Sequence, residues 1–177
     1  MARHQATART RTEARNNKAR AGHKAENTRN GSVRRSSGRA SLPITSGYRI
    51  AARFGDTGSW SRYHTGIDFS AGVGVPVRAV TAGVVTHAGS GSAGWAGRYV
   101  TIRHADGRST LYAHLSSVSV SVGERVSGGT RIGRVGMTGR TFGPHLHFEL
   151  YPAGARVGHP YDAVNPAGWL HARGLRY

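Results

Sequence analysis

Short runs of alternating apolar and polar residues dominate the chain from residue 47 onward, and glycines separate these runs. Five runs predict β-strands of about five or six residues. They are Val75–Val80, Gly83–His87, Tyr99–His104, Thr110–Leu115 and His145–Leu150. The Asp106–Gly107 pair between two of these runs is typical of a tight hairpin turn. Since no stretch after the first 40 residues keeps a helical period, we expect an all-β domain, an antiparallel sandwich or partly open barrel.

The same alternation assigns side chains to the two faces of the predicted sheet. In the last run, His145, His147 and Glu149 share one face. The opposite face carries only apolar residues, Leu146, Phe148 and Leu150. In the fourth run, His114 shares a face with Tyr112, which would either contact a substrate or cover the sheet. The histidines are therefore expected to project from a surface whose reverse side is hydrophobic core.

The first 40 residues differ from the rest of the chain in composition. They hold 11 of the 25 lysines and arginines, only two acidic residues and almost no large apolar side chains. Such a segment cannot bury enough apolar surface to offset the entropy of ordering. We therefore predict that residues 1–42 form a disordered basic tail, leader or pro-segment, and that residues 43–177 form one domain. The tail has no aromatic residue to stack on bases, so only non-specific contact with nucleic acid is expected.

The domain that follows is basic through arginine alone, with 14 arginines against six acidic residues in 41–177. This charge favours polyanions, such as nucleic acid or the anionic polymers of a cell wall, unless it only reflects composition. The chain has no cysteine, which excludes disulfides, thiolate zinc sites and cysteine nucleophiles. No apolar run reaches the length of a membrane span, and residues 1–40 lack the apolar core of a signal peptide.

Five residues form the most informative set for chemistry: His64, Asp68, His114, His145 and His147. A straight strand would hold His64 and Asp68 about 13 Å apart, too far for two ligands of one zinc ion. We therefore expect the chain to turn between them, at a glycine, residue 66, that permits the turn. His145 and His147 would point the same way from one strand. One of them could bind a metal while the other faces a metal-bound water or the substrate.

In combination these residues resemble the lysostaphin-like zinc endopeptidases, including the LytM-type cell-wall hydrolases. The similarity extends from about Gly47 to Leu170. It rests on Tyr63–Phe69, Gly74–Val77 with Ala79, Thr81–Val85, Leu111–Leu115, Gly133–Gly139, Gly143–Glu149 and Val164–Pro166. The resemblance implies an antiparallel β-sheet with a long substrate groove walled by loops. Two segments depart from the family pattern, Gly94–Arg98 and Phe142, and we expect both to border the groove.

Residue by residue, the resemblance implies that His64, Asp68 and His147 are the zinc ligands and that His114 and His145 are the catalytic histidines. The implied reaction is hydrolysis of peptide bonds in peptidoglycan cross-bridges or stem peptides by a zinc-bound water. His114 or His145 would accept the proton of that water, and both would stabilise the oxyanion. Glu149 would either orient a ligand or pair with an arginine. The resemblance also implies a secreted, cell-wall protein, and we expect a monomer.

Other functions are compatible with the same fold. A zinc endopeptidase of glycine-rich proteins would share every site residue. A non-catalytic wall-binding or activator module is disfavoured because all five metal and catalytic positions are present. The segment Val122–Gly133 resembles a half-repeat of biotinyl and lipoyl domains. Both lysines, Lys18 and Lys24, lie in the tail, so the domain has no lysine to modify and a carrier function is excluded.

Overall fold

A computed structural model describes residues 39–58 and 62–177, and β-strands dominate this part of the chain. Its strands, in chain order, are β1 (Arg49–Ala52), β2 (Ile67–Ser70), β3 (Pro76–Arg78), β4 (Gly83–Ser90), β5 (Arg98–Arg103), β6 (Ser109–Ala113), β7 (Leu115–Val118), β8 (Arg125–Val126), β9 (Arg131–Val135) and β10 (His145–Tyr151). One short helix, α1 (Ala167–His171), follows them, and two 3-10 turns lie at Gly94–Ala96 and Pro160–Asp162. The predicted all-β class is confirmed.

The strands form two antiparallel sheets. The larger sheet has seven strands in the order β1-β2-β10-β6-β5-β4-β8, and the smaller has three in the order β3-β9-β7. Because β2 and β6 are the two neighbours of β10, residues far apart in sequence meet at the middle of the larger sheet. Within the described residues, no helix is long and apolar enough to cross a membrane.

The main hydrophobic core includes buried residues of both sheets. Its large, fully buried members include Ile67, Phe69, Ile102, Tyr112, Leu115, Ile132, Leu146 and Phe148. A smaller cluster lies on the other face of the larger sheet and contains Tyr99, Leu111, Ala113 and Tyr151. Both faces of β6 and β10 are therefore covered by side chains, which holds these two strands rigidly.

The predicted hairpin at Asp106–Gly107 is confirmed, since this turn joins the antiparallel neighbours β5 and β6. The predicted strand Thr110–Leu115 is wrong at its end. β6 stops at Ala113, and Leu115 already belongs to β7 in the other sheet. The residue between them, His114, has a φ of 63°, which is unusual for any residue but glycine. The chain changes sheets at this residue.

The change of sheet also corrects the predicted side-chain faces. Tyr112 points into the main core, where its hydroxyl accepts a hydrogen bond from the backbone N–H of Val80. It is fully buried and cannot contact a substrate. Simple alternation would place His114 beside Tyr112, but the left-handed backbone at His114 breaks the alternation. The imidazole lies instead against His145 and His147.

Most of the predicted basic tail, residues 1–38, lies outside the described residues. The boundary between residues 42 and 43 stays a prediction. The described chain is attached to the domain from Ser41, whose backbone N–H donates to the carbonyl of Val80. Ile44 is already part of the main core.

Candidate metal centre

Two neighbouring strands of the larger sheet carry the centre of the site. His147 on β10 and Asp68 on β2 are direct cross-strand partners, so their side chains emerge from the same face. The Nδ1 atom of His147 lies 2.8 Å from the Oδ1 atom of Asp68. The apolar residues that alternate with them, Phe69, Leu146 and Phe148, point into the core on the other side. The site residues thus project from a sheet whose other face is packed in the core.

His64 reaches the same point from the segment that precedes β2. Its Nε2 atom lies 3.1 Å from Asp68 Oδ1 and 3.1 Å from His147 Nδ1. The expected turn between His64 and Asp68 is present as a bend at Gly66. The reason for glycine differs from the expected one, because a Cβ at Gly66 would lie 2.3 Å from the carbonyl oxygen of Phe148. Glycine is required here by the close approach of β10.

The three inner atoms fit a zinc ion in their chemistry and their spacing. His64, Asp68 and His147 each offer one ligand atom, and these atoms all lie within 4.8 Å of one another. The three closest separations are 2.8, 3.1 and 3.1 Å. Ligands at about 2.0–2.1 Å from a tetrahedral zinc ion are about 3.3 Å apart, so small adjustments suffice. Two imidazoles and one carboxylate also leave a fourth position for water or substrate, as in catalytic zinc sites.

The outer nitrogens of both histidines have partners that fix the ring orientation. Nδ1 of His64 lies 3.1 Å from the carbonyl oxygen of Arg53, to which it can donate. Nε2 of His147 is buried and lies 3.1 Å from Oε1 of Glu149, although its N–H is not aligned for a hydrogen bond. A proton on each outer nitrogen leaves the inner nitrogen as the ligand atom. The expected contact of Glu149 with a candidate ligand is therefore present.

Glu149 is completely buried and is held by two hydroxyl groups. Thr65 donates to Oε1 over 2.5 Å, and Tyr151 donates to Oε2 over 2.5 Å. A buried carboxylate needs such partners because burial without them is costly. Burial, followed by the charge of Glu149, raises the pKa of Tyr151 far above its usual range, so its hydroxyl stays a donor. The alternative pairing of Glu149 with an arginine is absent among the described residues.

The charges show that the centre is suited to a cation. Burial alone would raise the pKa of Asp68, but hydrogen bonds from His147 and His64 outweigh burial and hold the pKa far below its usual range. Burial alone would lower the pKa of His147, but the carboxylates of Asp68 and Glu149 on either side raise it to about 10. Without a metal, a proton on His147 supplies the positive charge between these carboxylates. A divalent cation would replace that proton.

His114 and His145 lie beside this cluster, and each directs its Nδ1 atom at a backbone carbonyl oxygen. Nδ1 of His114 lies 2.9 Å from the carbonyl oxygen of Thr138. Nδ1 of His145 lies 2.8 Å from the carbonyl oxygen of Gly143. A proton on Nδ1 that is donated to a carbonyl leaves Nε2 as an acceptor in both rings. The Nε2 atom of His145 is 3.7 Å from Oδ1 of Asp68.

The two rings are also close to each other and partly withdrawn from solvent. The ring centroids of His114 and His145 are 4.7 Å apart. Burial, and then the nearby His147 and His145, lowers the pKa of His114 to about 4. His114 is therefore neutral at pH 7 and can accept a proton at Nε2.

These side chains line a groove of about 550 Å³. One wall contains Tyr63, Pro160 and Tyr161, and the other contains Thr141–Pro144. The five histidine and aspartate positions also line the groove, together with Arg49, Ala51, Ala52, Thr65, Ser70, Trp95 and Arg140. The ring of Trp95 lies 5.4 Å from the ring of His147, and Phe142 is 83% exposed on its wall. The two segments that depart from the family pattern thus border the groove, as expected.

The structure brings all five predicted site residues together. It also adds two residues to which the sequence analysis gave no role at the site, Thr65 and Tyr151. Tyr151 lies two residues beyond Glu149 on β10, so continued alternation could have placed it on the site face. The hydroxyl of Thr65 had no such signal, because it comes from a segment outside the predicted strands.

Comparisons with known proteins agree with this geometry. Residues 62–160 match the family model described as peptidase family M23. The DD-carboxypeptidase/endopeptidase Mpg of Neisseria meningitidis is 51% identical over 107 residues, which cover 60% of this chain and 23% of the relative. The chain thus spans about a quarter of the length of such curated relatives.

Two solved structures have the same fold. The catalytic domain of the antimicrobial peptidase lysostaphin from Staphylococcus simulans has a TM-score of 0.63 and 31% identity, covering 70% of this chain and 92% of that domain. A zinc-containing peptidase from Vibrio cholerae has a TM-score of 0.57 and 34% identity, covering 64% of this chain and 37% of that one. The resemblance to lysostaphin-like enzymes is confirmed.

Proposed function

Because this chain belongs to peptidase family M23, we propose that it is a zinc-dependent endopeptidase that hydrolyses peptide cross-links in bacterial peptidoglycan. The observation that carries the proposal is the convergence of His64, Asp68 and His147 on the floor of a groove, with His114 and His145 alongside. This is a donor set for a catalytic metal, placed next to two further proton acceptors. The relatives' names, which include DD-carboxypeptidase/endopeptidase, support the substrate class.

The metal would be held by His64 Nε2, Asp68 Oδ1 and His147 Nδ1. A zinc ion bound there would polarise the scissile carbonyl and lower the pKa of a bound water to about 7. The protein contributes the rigidity of the site. His147 and Asp68 are fixed by the pairing of β2 with β10, and the outer nitrogen of His64 is fixed by the carbonyl oxygen of Arg53.

His114 and His145 move protons at their Nε2 atoms. In the neutral rings, Nδ1–H donates to a backbone carbonyl, so Nε2 accepts a proton from the attacking water. After it has been protonated, the same Nε2–H can donate to the oxyanion or to the departing amine. Either ring can take this first proton, because both present Nε2 as the acceptor. The ring that has taken the proton is the one that donates to the oxyanion, since the other ring, with its proton on Nδ1, has no N–H to offer at Nε2.

A protein that hydrolyses this substrate would act in the cell wall, outside the cytoplasmic membrane. The excess of arginine in the domain would keep it near anionic wall polymers, with an attraction that weakens as salt rises. A non-catalytic activator role is disfavoured, since all five site residues are present and converge. A zinc endopeptidase of glycine-rich proteins would use the same centre. Cleavage of glycine peptides compared with cleavage of purified wall fragments would separate the two substrates.

Zinc content and wall clearing, measured together, test the proposal. We expect about one zinc ion per wild-type chain and clearing of a wall suspension. The His147→Ala variant should lose both, because it removes a ligand from the middle of the cluster. His171→Ala, which changes an exposed histidine on α1, is the matched control and should keep both. A wild-type protein that binds no zinc under metal-replete conditions, or that binds zinc without clearing walls, contradicts the proposal.

A further inference from the structure

Two arginines line the groove on opposite sides of the metal cluster. Arg49 and Arg140 are both exposed, and both belong to the groove lining. Neither arginine belongs to the metal cluster or to the catalytic pair. Their position therefore bears on what the groove binds.

Arg49 stands in register with the site across three strands. It is the cross-strand partner of Ser70, which is in turn the partner of His145. Strand spacing places the Cα atom of Arg49 about 10 Å from that of His145, on the β1 side of β10. Ser70, the small residue between them, also lines the groove. The long arginine side chain thus borders the groove floor with little bulk in between.

Arg140 approaches from the other side of β10. Its backbone N–H donates over 2.8 Å to the carbonyl oxygen of Trp95, which lies in the turn before β5. The next residue, Thr141, has its Oγ1 atom 3.2 Å from Nδ1 of His145. In the strand order β1-β2-β10-β6-β5, β1 and β5 are on opposite sides of β10. A peptide that lies across the cluster would have one arginine on each side of its scissile bond.

The charges around these arginines leave them available for a ligand. Within residues 39–58 and 62–177, neither Arg49 nor Arg140 forms a salt bridge with an acidic side chain. Other arginines of the domain do, such as Arg156 with Asp162. The acidic residue that the groove lining contains is Asp68, and its charge faces the metal cluster. The groove therefore offers two positive charges to a substrate.

We propose that Arg49 and Arg140 bind carboxylates of the substrate on either side of the scissile bond. The preferred substrates are then acidic stem-peptide cross-links, since uncharged glycine bridges have no carboxylate at these places. Arginine suits this task because its planar guanidinium can donate two parallel hydrogen bonds to a carboxylate. This inference rests on the proposed function and names the substrate class of the same site.

A matched pair of substrates tests the inference. One is a cross-linked pair of stem peptides with free carboxylates, and the other is the same molecule with those carboxylates amidated. Wild type should cut the acidic substrate with a kcat/KM at least roughly tenfold higher, as charge-assisted hydrogen bonds predict. The double variant Arg49→Gln/Arg140→Gln should lose this preference, mainly through KM. Each single variant should lose part of it, and added salt should weaken it in wild type.

Arg125→Gln is the control for general electrostatic attraction. It removes the same charge from an exposed position on β8, outside the groove lining, and should leave the preference unchanged. An unchanged preference in the double variant would overturn the inference. So would an equal loss in the control, because the arginines of the groove would then have no special role.

Binding of peptides that are not cut separates this inference from the proposed function. Single stem peptides, acidic or amidated, contain no cross-link to hydrolyse, and the fluorescence of Trp95 in the groove can report their binding. A preference for the acidic form that depends on Arg49 and Arg140 supports the inference even if no cross-link is cleaved. In that case the proposed function alone fails. Cleavage without any such preference in binding overturns the inference alone.

Discussion

The strands β10 and β6 bring histidines to the same groove in two different ways. β10 presents His145, His147 and Glu149 by plain alternation, with Leu146 and Phe148 packed in the core behind them. β6 is buried along its whole length and carries no site residue. It ends at Ala113, and the next residue, His114, has a φ of 63° and lies where the chain passes from one sheet to the other.

This difference shows two sources of precision in one site. On β10 the regular backbone fixes the spacing, and His147 has cross-strand partners on both sides, Asp68 in β2 and Ala113 in β6. At His114 a costly backbone conformation aims the ring, and the surroundings must hold it there. The carbonyl oxygen of Thr138 and the close approach of Gly136 provide that support. A Cβ at Gly136 would lie 2.7 Å from the carbonyl oxygen of His114.

The largest expected effect comes from removing either ring of the catalytic pair. His114→Ala and His145→Ala should each lower turnover of a peptidoglycan substrate by about 10²–10⁴-fold. Each should keep about one zinc ion per chain, because neither side chain belongs to the three-atom cluster. Steady-state kinetics and metal analysis on the same preparations make the comparison. The two variants should behave alike although one residue lies in a strand and the other at the change of sheet.

Metal analysis decides whether these roles are assigned to the right residues. If His145→Ala or His114→Ala loses zinc while its circular dichroism stays that of wild type, the altered residue is a ligand. The division into three ligands and two catalytic rings would then be wrong. If only one of the two variants loses activity, the histidine removed in the other variant is dispensable for proton transfer.

A smaller effect is expected from Glu149, the third polar residue that β10 presents. Glu149→Gln keeps the shape but removes the charge beside His147 and leaves one of the two donating hydroxyls without an acceptor. Loss of such a partner of a metal-binding histidine weakens metal affinity by about 10–100-fold. Competition with a zinc chelator measures the change. Glu124→Gln, on an exposed glutamate, is the control. Equal affinity in Glu149→Gln and wild type would reduce Glu149 to a role in packing.

The difference between β10 and β6 also separates the features that the sequence could predict from those that it could not. Alternation predicts the two faces of β10, and the Asp-Gly pair predicts the turn between β5 and β6, because both depend on neighbours along the chain. The need for His64 and Asp68 to share one ion predicts the bend between them. These features follow from local geometry. The five site residues, named in part from family resemblance, are brought together by the structure.

Other features depend on contacts that no local pattern contains. The left-handed backbone at His114 is one such feature, since no residue pattern in Leu111–Leu115 predicts a change of sheet. The reason for Gly66 is another, because the atom that excludes a side chain there belongs to Phe148. The position of Trp95 against His147 likewise follows from the packing of one loop on the sheet. All three features depend on contacts between residues far apart in the sequence, and such contacts cannot be predicted from the pattern of a single sequence.

The smallest expected effect tests the difference between β10 and β6 most directly. At a φ of 63°, an L-residue with a Cβ is disfavoured by about 1 kcal/mol relative to glycine. His114→Gly should therefore have a higher free energy of unfolding than His114→Ala by about that amount. At His145, which lies in a regular strand, the order should reverse, with alanine favoured by about 0.5–1 kcal/mol. Urea unfolding of the four variants in the presence of a chelator measures both differences without a contribution from zinc. The same order at both positions would mean that the backbone at His114 relaxes once its ring is gone. The strain would then come from the imidazole's contacts with Thr138 and His145, and the change of sheet would not require it.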